Sequence, residues 1–337
     1  MTLATVWFLL IAFLLIGYAI LDGFDLGVGA VHLIVARTDL ERRQVLNAIG
    51  PVWDGNEVWL ITGGGALFAA FPTVYGTVFS GFYLAMMMLL LALILRATSI
   101  EFRSKETASW WRRGWDIGFS LGSTLAAILF GVAIGNVLRG LPIDADGAYR
   151  GGLIGLLNPF AISVGVLTLG LAVLQGSAWL SIKTEGVLQE RARKTGAAAV
   201  VLVLVAWIAA TALAYADAKR VFDNFGGILA WVGPFLTANI LIYMVAAMRS
   251  RRDSLAFFLS SLSVVGFAVT AGTSLYPNLV PAVDKARSLT VDNAHSSDTT
   301  LIVMLVVALI GMPIVLTYTS FVYWKFKGKV RLDEASY

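Results

Sequence analysis

Residues 51–72 read PVWDGNEVWLITGGGALFAAFP, a stretch in which a polar start passes directly into an apolar run. Asp54 and Glu57 stand beside two tryptophans, Trp53 and Trp59, and no charged residue follows them within the stretch. This composition is typical of a transmembrane helix, which needs about 20 mainly apolar residues to cross the hydrocarbon core. The acid pair therefore lies at the start of a predicted span, where carboxylates are costly unless they have a partner or a function.

The rest of the chain has the composition of a polytopic membrane protein. Hydrophobic residues occupy 58% of its 337 positions and charged residues only 14%, whereas a soluble domain carries about 25% charged residues. Apolar segments are predicted at about 6–35, 52–72, 77–97, 114–136, 154–180, 197–216, 226–248, 254–275 and 300–324. We therefore predict an all-α polytopic membrane protein with about nine transmembrane helices, forming a single integral membrane domain over residues 1–337.

The basic residues predict how the chain is oriented. They are concentrated after the first, third, fifth, seventh and ninth segments. The loops on the other side hold Arg139, Arg150, Lys219, Arg220, Lys285 and Arg287. Because Lys and Arg accumulate in cytoplasmic loops, we predict that the N-terminus is outside and the C-terminus is cytoplasmic. The same bias explains the net charge of +4 without a nucleic-acid partner.

Cysteine and histidine are scarce. The chain has no cysteine, which excludes thiolate metal sites and iron–sulfur ligation by this chain. Its two histidines, His32 and His295, fall on opposite sides of the predicted membrane and cannot share one ligand site. A haem held by His32 and a methionine remains open at this point, beside the simpler interpretation of His32 as a polar helix-end residue. The run Gly63-Gly64-Gly65 lacks the pattern of a nucleotide loop and predicts close helix packing instead.

The acids within or beside the spans all fall toward the predicted cytoplasmic side. They are Asp22, Asp25, Asp54, Glu57, Glu101 and Asp116. Asp22 and Asp25 are three residues apart in GYAILDGFDLGVGA, and this spacing places them on one face of a helix. The same spacing applies to Asp54 and Glu57.

Two interpretations of these acids are open. Acids at helix ends pair with nearby arginines such as Arg96, and this interpretation is favoured for Glu57 and Asp116. Acids buried at membrane depth form a proton route from the cytoplasm, an interpretation favoured for Asp25 and Asp54 by their apolar and glycine neighbours. A proton-coupled transporter and a cofactor-poor subunit of a larger proton-handling complex both fit this pattern.

Longer stretches resemble subunit II of cytochrome bd-type quinol oxidases, and the cyanide-insensitive branch is the subfamily that the resemblance suggests. The resemblance is carried by ILDGFDLGVG at 20–29, by PVWDGNEVWLITGGGALFAAFPTVYGTVFSGFYLAM at 51–86, by RATSIEFRSK at 96–105, and by LLNPF, VTAGTSLYP, SLT and TYTSFVYWKF further on. It covers nearly the whole chain, and its longest motif is compositionally unusual.

The resemblance implies an architecture and an assembly. The fold is expected to contain two four-helix bundles plus one peripheral helix. Subunit I is the expected heterodimer partner in the bacterial inner membrane and is expected to carry haems b558, b595 and d and the quinol site. This chain is then expected to hold no haem, no metal and no catalytic residue. A structural ubiquinone and a small single-span accessory subunit are further expectations.

The resemblance also implies a function and a site. The complex is expected to reduce dioxygen to water with quinol electrons and cytoplasmic protons, while this subunit supports assembly and supplies protons to the haems of subunit I. The implied proton-path candidates are Asp25, Asp54 and Glu101. The supporting residues are Asp22, Glu57, Trp53, Trp59 and Arg96. The alternative is a proton-coupled secondary transporter, which would need a substrate site near the membrane midplane.

Overall fold

The computed structural model of the protein describes residues 2–332 and is almost entirely helical; the ends of the predicted domain 1–337 lie outside this range. Its α-helices are α1 (Leu3–Val35), α2 (Asp39–Ile49), α3 (Trp53–Ala70), α4 (Pro72–Gly81), α5 (Tyr83–Phe102), α6 (Ser109–Arg139), α7 (Gly152–Leu156), α8 (Pro159–Lys183), α9 (Gly186–Asp217), α10 (Val232–Arg249), α11 (Asp253–Leu275) and α12 (Asp298–Lys325). Two short strands, β1 (Asn278–Val280) and β2 (Leu289–Thr290), pair antiparallel in the loop before α12.

The structure contains eight or nine candidate spans, a range that includes the predicted number. Within residues 2–332, eight helices are long and apolar enough to cross a membrane, and the bent pair α3 and α4 brings the number to nine if the two helices are counted as one broken span. The two helices of that pair meet at an angle of 120°. Pro72 begins α4, and a proline disfavours helical backbone at the preceding residue, so the α3 helix ends before Phe71. The polytopic helical fold is thus confirmed, while membrane orientation and the division into two bundles stay predictions.

Several predicted segment boundaries differ from the helix ends, and three of the predicted starts fall where the backbone turns. The third predicted segment begins at residue 77, but residues 77–81 belong to α4 and the span itself begins at Tyr83. The seventh was placed from residue 226, whereas α10 begins at Val232 after two short 3₁₀ turns. The fifth was placed from 154, but α8 begins at Pro159 after the single-turn α7. Hydropathy is continuous across these breaks, so composition alone does not reveal where the backbone turns.

Glycines allow α1 and α8 to approach each other closely. A Cβ atom added to Gly27 would overlap the backbone carbonyl of Ala172, and one added to Gly176 would overlap the backbone of α1. Within this chain, the predicted packing role of the glycine run is seen for Gly63, which lies against Leu15. Gly64 and Gly65 have no neighbouring atom of the chain within 4 Å of an added Cβ, so for them close packing stays a prediction.

Helix α12 is peripheral and is fastened mainly near its two ends. The indole Nε1 of Trp7 donates a hydrogen bond to the carbonyl oxygen of Leu301 over 3.0 Å. At the other end, Tyr323 packs edge-on against the Trp179 ring of α8. Most side chains between these two anchors are exposed. This placement agrees with the expected single peripheral helix.

Candidate functional site

Buried charged groups converge at one end of the helix bundle. There the second halves of α1 and α5 meet the first turns of α3 and α6, and the short helix α2 lies across them. The buried ionisable side chains at this end, each 1% exposed or less, are Asp22, Asp25, His32, Arg96, Arg103 and Asp116. Burying a charge is costly unless it is paired and hydrogen-bonded. A buried acid with all its partners is therefore interpreted as structural, and a buried acid with an unpartnered oxygen is a candidate for a functional role.

Arg96 is the centre of the first cluster. Its guanidinium donates two hydrogen bonds to Asp22, over 2.6 and 3.1 Å, in a bidentate arrangement. It donates a third to Oε1 of Glu57 over 3.0 Å. Arg96 therefore ties α1, α3 and α5 together. The predicted pairing of Glu57 with a nearby arginine is present in the structure.

Asp25 lies next to this cluster but has a different environment. Its Oδ2 accepts a hydrogen bond from the side-chain amide of Asn56 over 2.8 Å. Its Oδ1 is buried and has no hydrogen-bond partner among the described residues. The other residues of the chain bury Asp25 completely, so that none of its surface is accessible to solvent. Asp25 is thus a buried acid with one oxygen held and the other free.

Asp116 is the centre of a second cluster. Its carboxylate lies 2.8 Å from Nε2 of His32, 2.6 Å from Nε of Arg103 and 2.8 Å from Nη1 of Arg42. Arg103 also reaches Asp39, the first residue of α2, over 2.7 Å. These contacts clamp α2 onto the bundle and support the helix-end interpretation of Asp116 and of His32.

The predicted site residues do not all meet. Asp54 lies on the outer surface of α3 and is exposed, and Glu101 is exposed near the end of α5. Glu57, ranked below Asp54 from the sequence, turns inward to Arg96. The two acids lie only about 60° apart around α3, and what distinguishes them is that Glu57 contacts Arg96 of α5 whereas Asp54 is exposed. The structure brings Asp25 close to the Arg96 cluster and leaves Asp54 and Glu101 on the surface of the chain.

The two tryptophans of the first motif serve different regions. Trp53 belongs to the apolar cluster beneath α2, at the charged end of the bundle. Trp59 packs deeper in the chain against Leu14 and Tyr18, and its ring covers Gly17.

Sequence reasoning missed Asn56 and Tyr323. The hydroxyl of Tyr323 donates to Oδ1 of Asn56 over 2.9 Å, and Asn56 in turn donates to Asp25. Asn56 lies inside the opening motif between the two acids, which is the one local signal that pointed to it. Nothing in the sequence connects it with Tyr323, which is 267 positions away.

A separate apolar cavity of about 490 Å³ lies between α1, α6, α8, α9 and α11. Two buried polar atoms on its lining have no hydrogen-bond partner among the described residues, the hydroxyl of Tyr18 and Oε1 of Gln175. The amide of Gln175 donates to the carbonyl oxygen of Ile20 over 2.8 Å, which orients its oxygen as the free atom. The cavity therefore combines a mainly apolar wall with a buried hydroxyl and a buried acceptor that have no hydrogen-bond partner among the described residues.

Within residues 2–332, no group of three or more His, Asp or Glu side chains is arranged to hold a metal ion.

Comparisons with known proteins identify the family. Residues 3–326 match the family described as cytochrome bd terminal oxidase subunit II. The chain is 37% identical to cytochrome bd-I ubiquinol oxidase subunit 2 of Escherichia coli K12, over 98% of this chain and 95% of that one. It is also 37% identical to cytochrome bd ubiquinol oxidase subunit 2 of Bacillus subtilis, over 99% and 98%.

A solved structure shares the fold. A chain of the bd oxidase from Geobacillus thermodenitrificans superposes with a TM-score of 0.79 at 17% identity, over 97% of this chain and 99% of that one. The fold agrees with the family assignment, which rests on the full-length sequence match. The chain therefore belongs to the cytochrome bd terminal oxidase subunit II family.

Proposed function

We propose that this subunit supports assembly of the oxidase and supplies cytoplasmic protons to the haems of subunit I, with Asp25 as the central acid. Family membership makes the chain a subunit of a respiratory quinol oxidase in the bacterial inner membrane, with subunit I as its partner. Haems of the complex supply the redox chemistry, and we propose that they and the catalytic centres lie in subunit I. Reduction of dioxygen to water consumes one proton for each electron, so a proton route is required.

One observation carries the proton proposal. Asp25 is fully buried at the charged end of the bundle, and its Oδ1 has no partner among the described residues. Arg96 bonds both neighbouring acids, Asp22 and Glu57. Asp25 differs from them because it receives no hydrogen bond from Arg96 among the described residues and its unpartnered oxygen is fully buried. Buried acids of this kind at membrane depth are typical of proton relays.

Asp54 and Glu101 have a different place in the proposal. Both are exposed on this chain alone, at the end where Asp25 is buried. We propose that they act at the entry of the route, where subunit I covers them. An exposed carboxylate at the edge of a span is costly against lipid, and a partner subunit or water would remove that cost.

The surface of α3 supports this placement of subunit I. Asp54, Gly55, Ile61, Gly65 and Phe68 are exposed along one side of the helix. Gly55 and Gly65 have open space where a Cβ would stand, and small residues allow a second helix to approach closely within a membrane. We therefore propose that this side of α3 packs against subunit I.

The apolar cavity is the proposed place of the structural ubiquinone. Its volume of about 490 Å³ lies within the range of about 300–1,000 Å³ that is usual for ligand pockets. The Tyr18 hydroxyl can donate to a quinone carbonyl, and Oε1 of Gln175 can accept from the hydroxyl of the reduced form. The residues present therefore fit such a group. The small accessory subunit stays a prediction.

The transporter alternative is not favoured by the structure. A secondary transporter needs a polar substrate site near the midplane. Here the buried ionisable groups gather at one end of the bundle, and the cavity is apolar.

The test is the variant Asp25→Asn in the complete oxidase. We expect quinol-driven oxygen consumption to fall by about a hundredfold, the lower end for loss of a proton-transfer group, while the haem absorption bands stay at wild-type intensity. Asp217→Asn, at a half-exposed acid paired with Arg139, is the control and should be neutral. Wild-type turnover in Asp25→Asn would refute proton supply through this acid. Loss of the haem bands would reduce its role to assembly.

A further inference from the structure

Asp25 is held by one oxygen only, and the residue that holds it has a fixed orientation. The amide nitrogen of Asn56 donates to Oδ2 of Asp25 over 2.8 Å and to the carbonyl oxygen of Leu21 over 3.2 Å. A backbone carbonyl can only accept hydrogen bonds. The nitrogen of Asn56 must therefore face α1, and its oxygen must face away from Asp25.

The oxygen of Asn56 is held in turn by helix α12. The hydroxyl of Tyr323 lies 2.9 Å from Oδ1 of Asn56 and must be the donor, because the amide oxygen can only accept. The two hydrogen bonds that link Tyr323, Asn56 and Asp25 therefore run in one direction, with Tyr323 donating to Asn56 and Asn56 donating to Asp25. In a low-dielectric interior, consecutive hydrogen bonds polarise and so strengthen one another.

Tyr323 is itself kept in place by aromatic packing. Its ring meets Trp179 and Phe24 edge-on, with centroid distances of 5.9 and 6.4 Å. Trp179 is anchored by the hydrogen bond of its indole nitrogen to the carbonyl oxygen of Ala48 over 2.9 Å. The hydroxyl can therefore be removed by Tyr323→Phe while the ring keeps the same neighbours.

The chain that follows Tyr323 fixes this end of α12 to α8. The ammonium of Lys183 donates to the carbonyl oxygen of Phe326 over 2.5 Å. The backbone N–H of Val330 donates to the carbonyl oxygen of Lys183 over 2.8 Å, and the ammonium of Lys329 donates to that of Thr184 over 2.7 Å. The peripheral helix is thus fixed to α8 at the end from which Tyr323 reaches Asn56.

We propose that Asn56 and Tyr323 are positioning residues that hold Oδ2 of Asp25, so that the proton arrives at and leaves from Oδ1. This inference rests on the proposed role of Asp25 in proton supply. The amide of Asn56 holds the carboxyl group against rotation, and Tyr323 holds the amide. Without them the carboxyl group of Asp25 could rotate, and Oδ1 would no longer keep one orientation. The rate of proton transfer falls when donor and acceptor move out of hydrogen-bond distance.

The experiment compares Tyr323→Phe with Tyr318→Phe, which removes a hydroxyl from an exposed tyrosine on the same helix. In the complete oxidase, we expect Tyr323→Phe to lower turnover about tenfold, the effect of one lost hydrogen bond at a proton-transfer group, with unchanged haem bands. The ratio of turnover in H₂O to that in D₂O should rise, because proton delivery becomes limiting. A purely structural role would not change this ratio. Tyr318→Phe should match the wild type in both measurements.

A second variant tests whether the two residues act through one contact. Asn56→Leu removes the hydrogen bonds of this side chain to Asp25, to Tyr323 and to the carbonyl oxygen of Leu21. It should lower turnover at least as much as Tyr323→Phe. The double variant should then lose no more than Asn56→Leu alone, since residues in one network are not additive.

The outcomes separate this inference from the proposed function. Slow turnover in Asp25→Asn with wild-type turnover in Tyr323→Phe would overturn the positioning role and leave proton supply standing. Losses that multiply in the double variant would also overturn it. Wild-type turnover in Asp25→Asn would overturn both.

Discussion

At the scale of single residues, the site is governed by the cost of unpaired charge. Arg96 is fully buried and bonds two carboxylates, Asp22 and Glu57. A buried ion pair adds little net stability, but removing one partner leaves the other charge uncompensated. The cluster is therefore most sensitive to loss of its single cation.

Replacement of Arg96 by leucine should strongly destabilise the chain. We expect a loss of about 3–5 kcal/mol, seen as a lower melting temperature of the purified complex and a lower yield of haem-containing enzyme. Arg139→Leu is the matched control, because Arg139 forms a half-exposed pair with Asp217. That change should cost about 1 kcal/mol or less. Equal melting temperatures for the two variants would contradict the structural importance of the buried cluster.

At the scale of elements, the short helix α2 links charged side chains of α6 and α9 at this end of the bundle. Thr38 and Glu41 form a capping box at its start, in which each side chain bonds the backbone of the other. Its arginine Arg42 reaches Asp116 of α6, and Glu41 accepts hydrogen bonds from Arg191 of α9 over 3.0 Å. An 11-residue helix of this kind is held by such contacts rather than by its own propensity.

The carboxylate of Glu41 should make this contact pH-dependent. Burial raises the pKa of Glu41, but hydrogen bonds from the backbone N–H groups of Arg37 and Thr38 and from Arg191 outweigh burial and lower it below its usual value. A lowered folded-state pKa stabilises the fold above the usual glutamate pKa of about 4.3. That contribution is lost as the pH falls through the folded-state pKa.

The corresponding variant is Glu41→Gln, which keeps the shape and removes the charge. We expect it to lower stability by about 1 kcal/mol at neutral pH, measured as the melting temperature of the complex. The difference from the wild type should shrink as the solution becomes more acidic than the usual glutamate range. A difference that stays constant with pH would exclude the carboxylate as its source.

At the scale of the whole molecule, the exposed side of α3 is where this chain is expected to meet subunit I. Gly65 and Gly272 both have open space at the Cβ position, but they lie on α3 and α11. The matched variants Gly65→Trp and Gly272→Trp therefore test the position of the partner. We expect Gly65→Trp to abolish co-purification of subunit I with this chain, and Gly272→Trp to preserve it. The reverse result would place the interface on α11.

Some parts of the fold and the site could be predicted from the chain. Spans are predictable because the hydrocarbon core demands a long apolar run from each helix separately. The pairing of Glu57 with an arginine was predictable because a charge at a span end needs a partner. The bend before Pro72 was missed because the apolar run continues across it. The amphipathic helix α2 was missed because it contains no apolar run long enough to be a span.

The sequence by itself determined the membrane class, the helical spans, the family and the set of acids at one end, because each depends on residues close together in the chain. Only the tertiary structure decided which acid is buried and how it is held. Asp25 and Asp54 look alike in sequence, yet one is enclosed and the other exposed. The difference arises because Arg96, Asn56 and Tyr323 come from three helices that meet only after packing, where burial makes each unpaired polar atom costly.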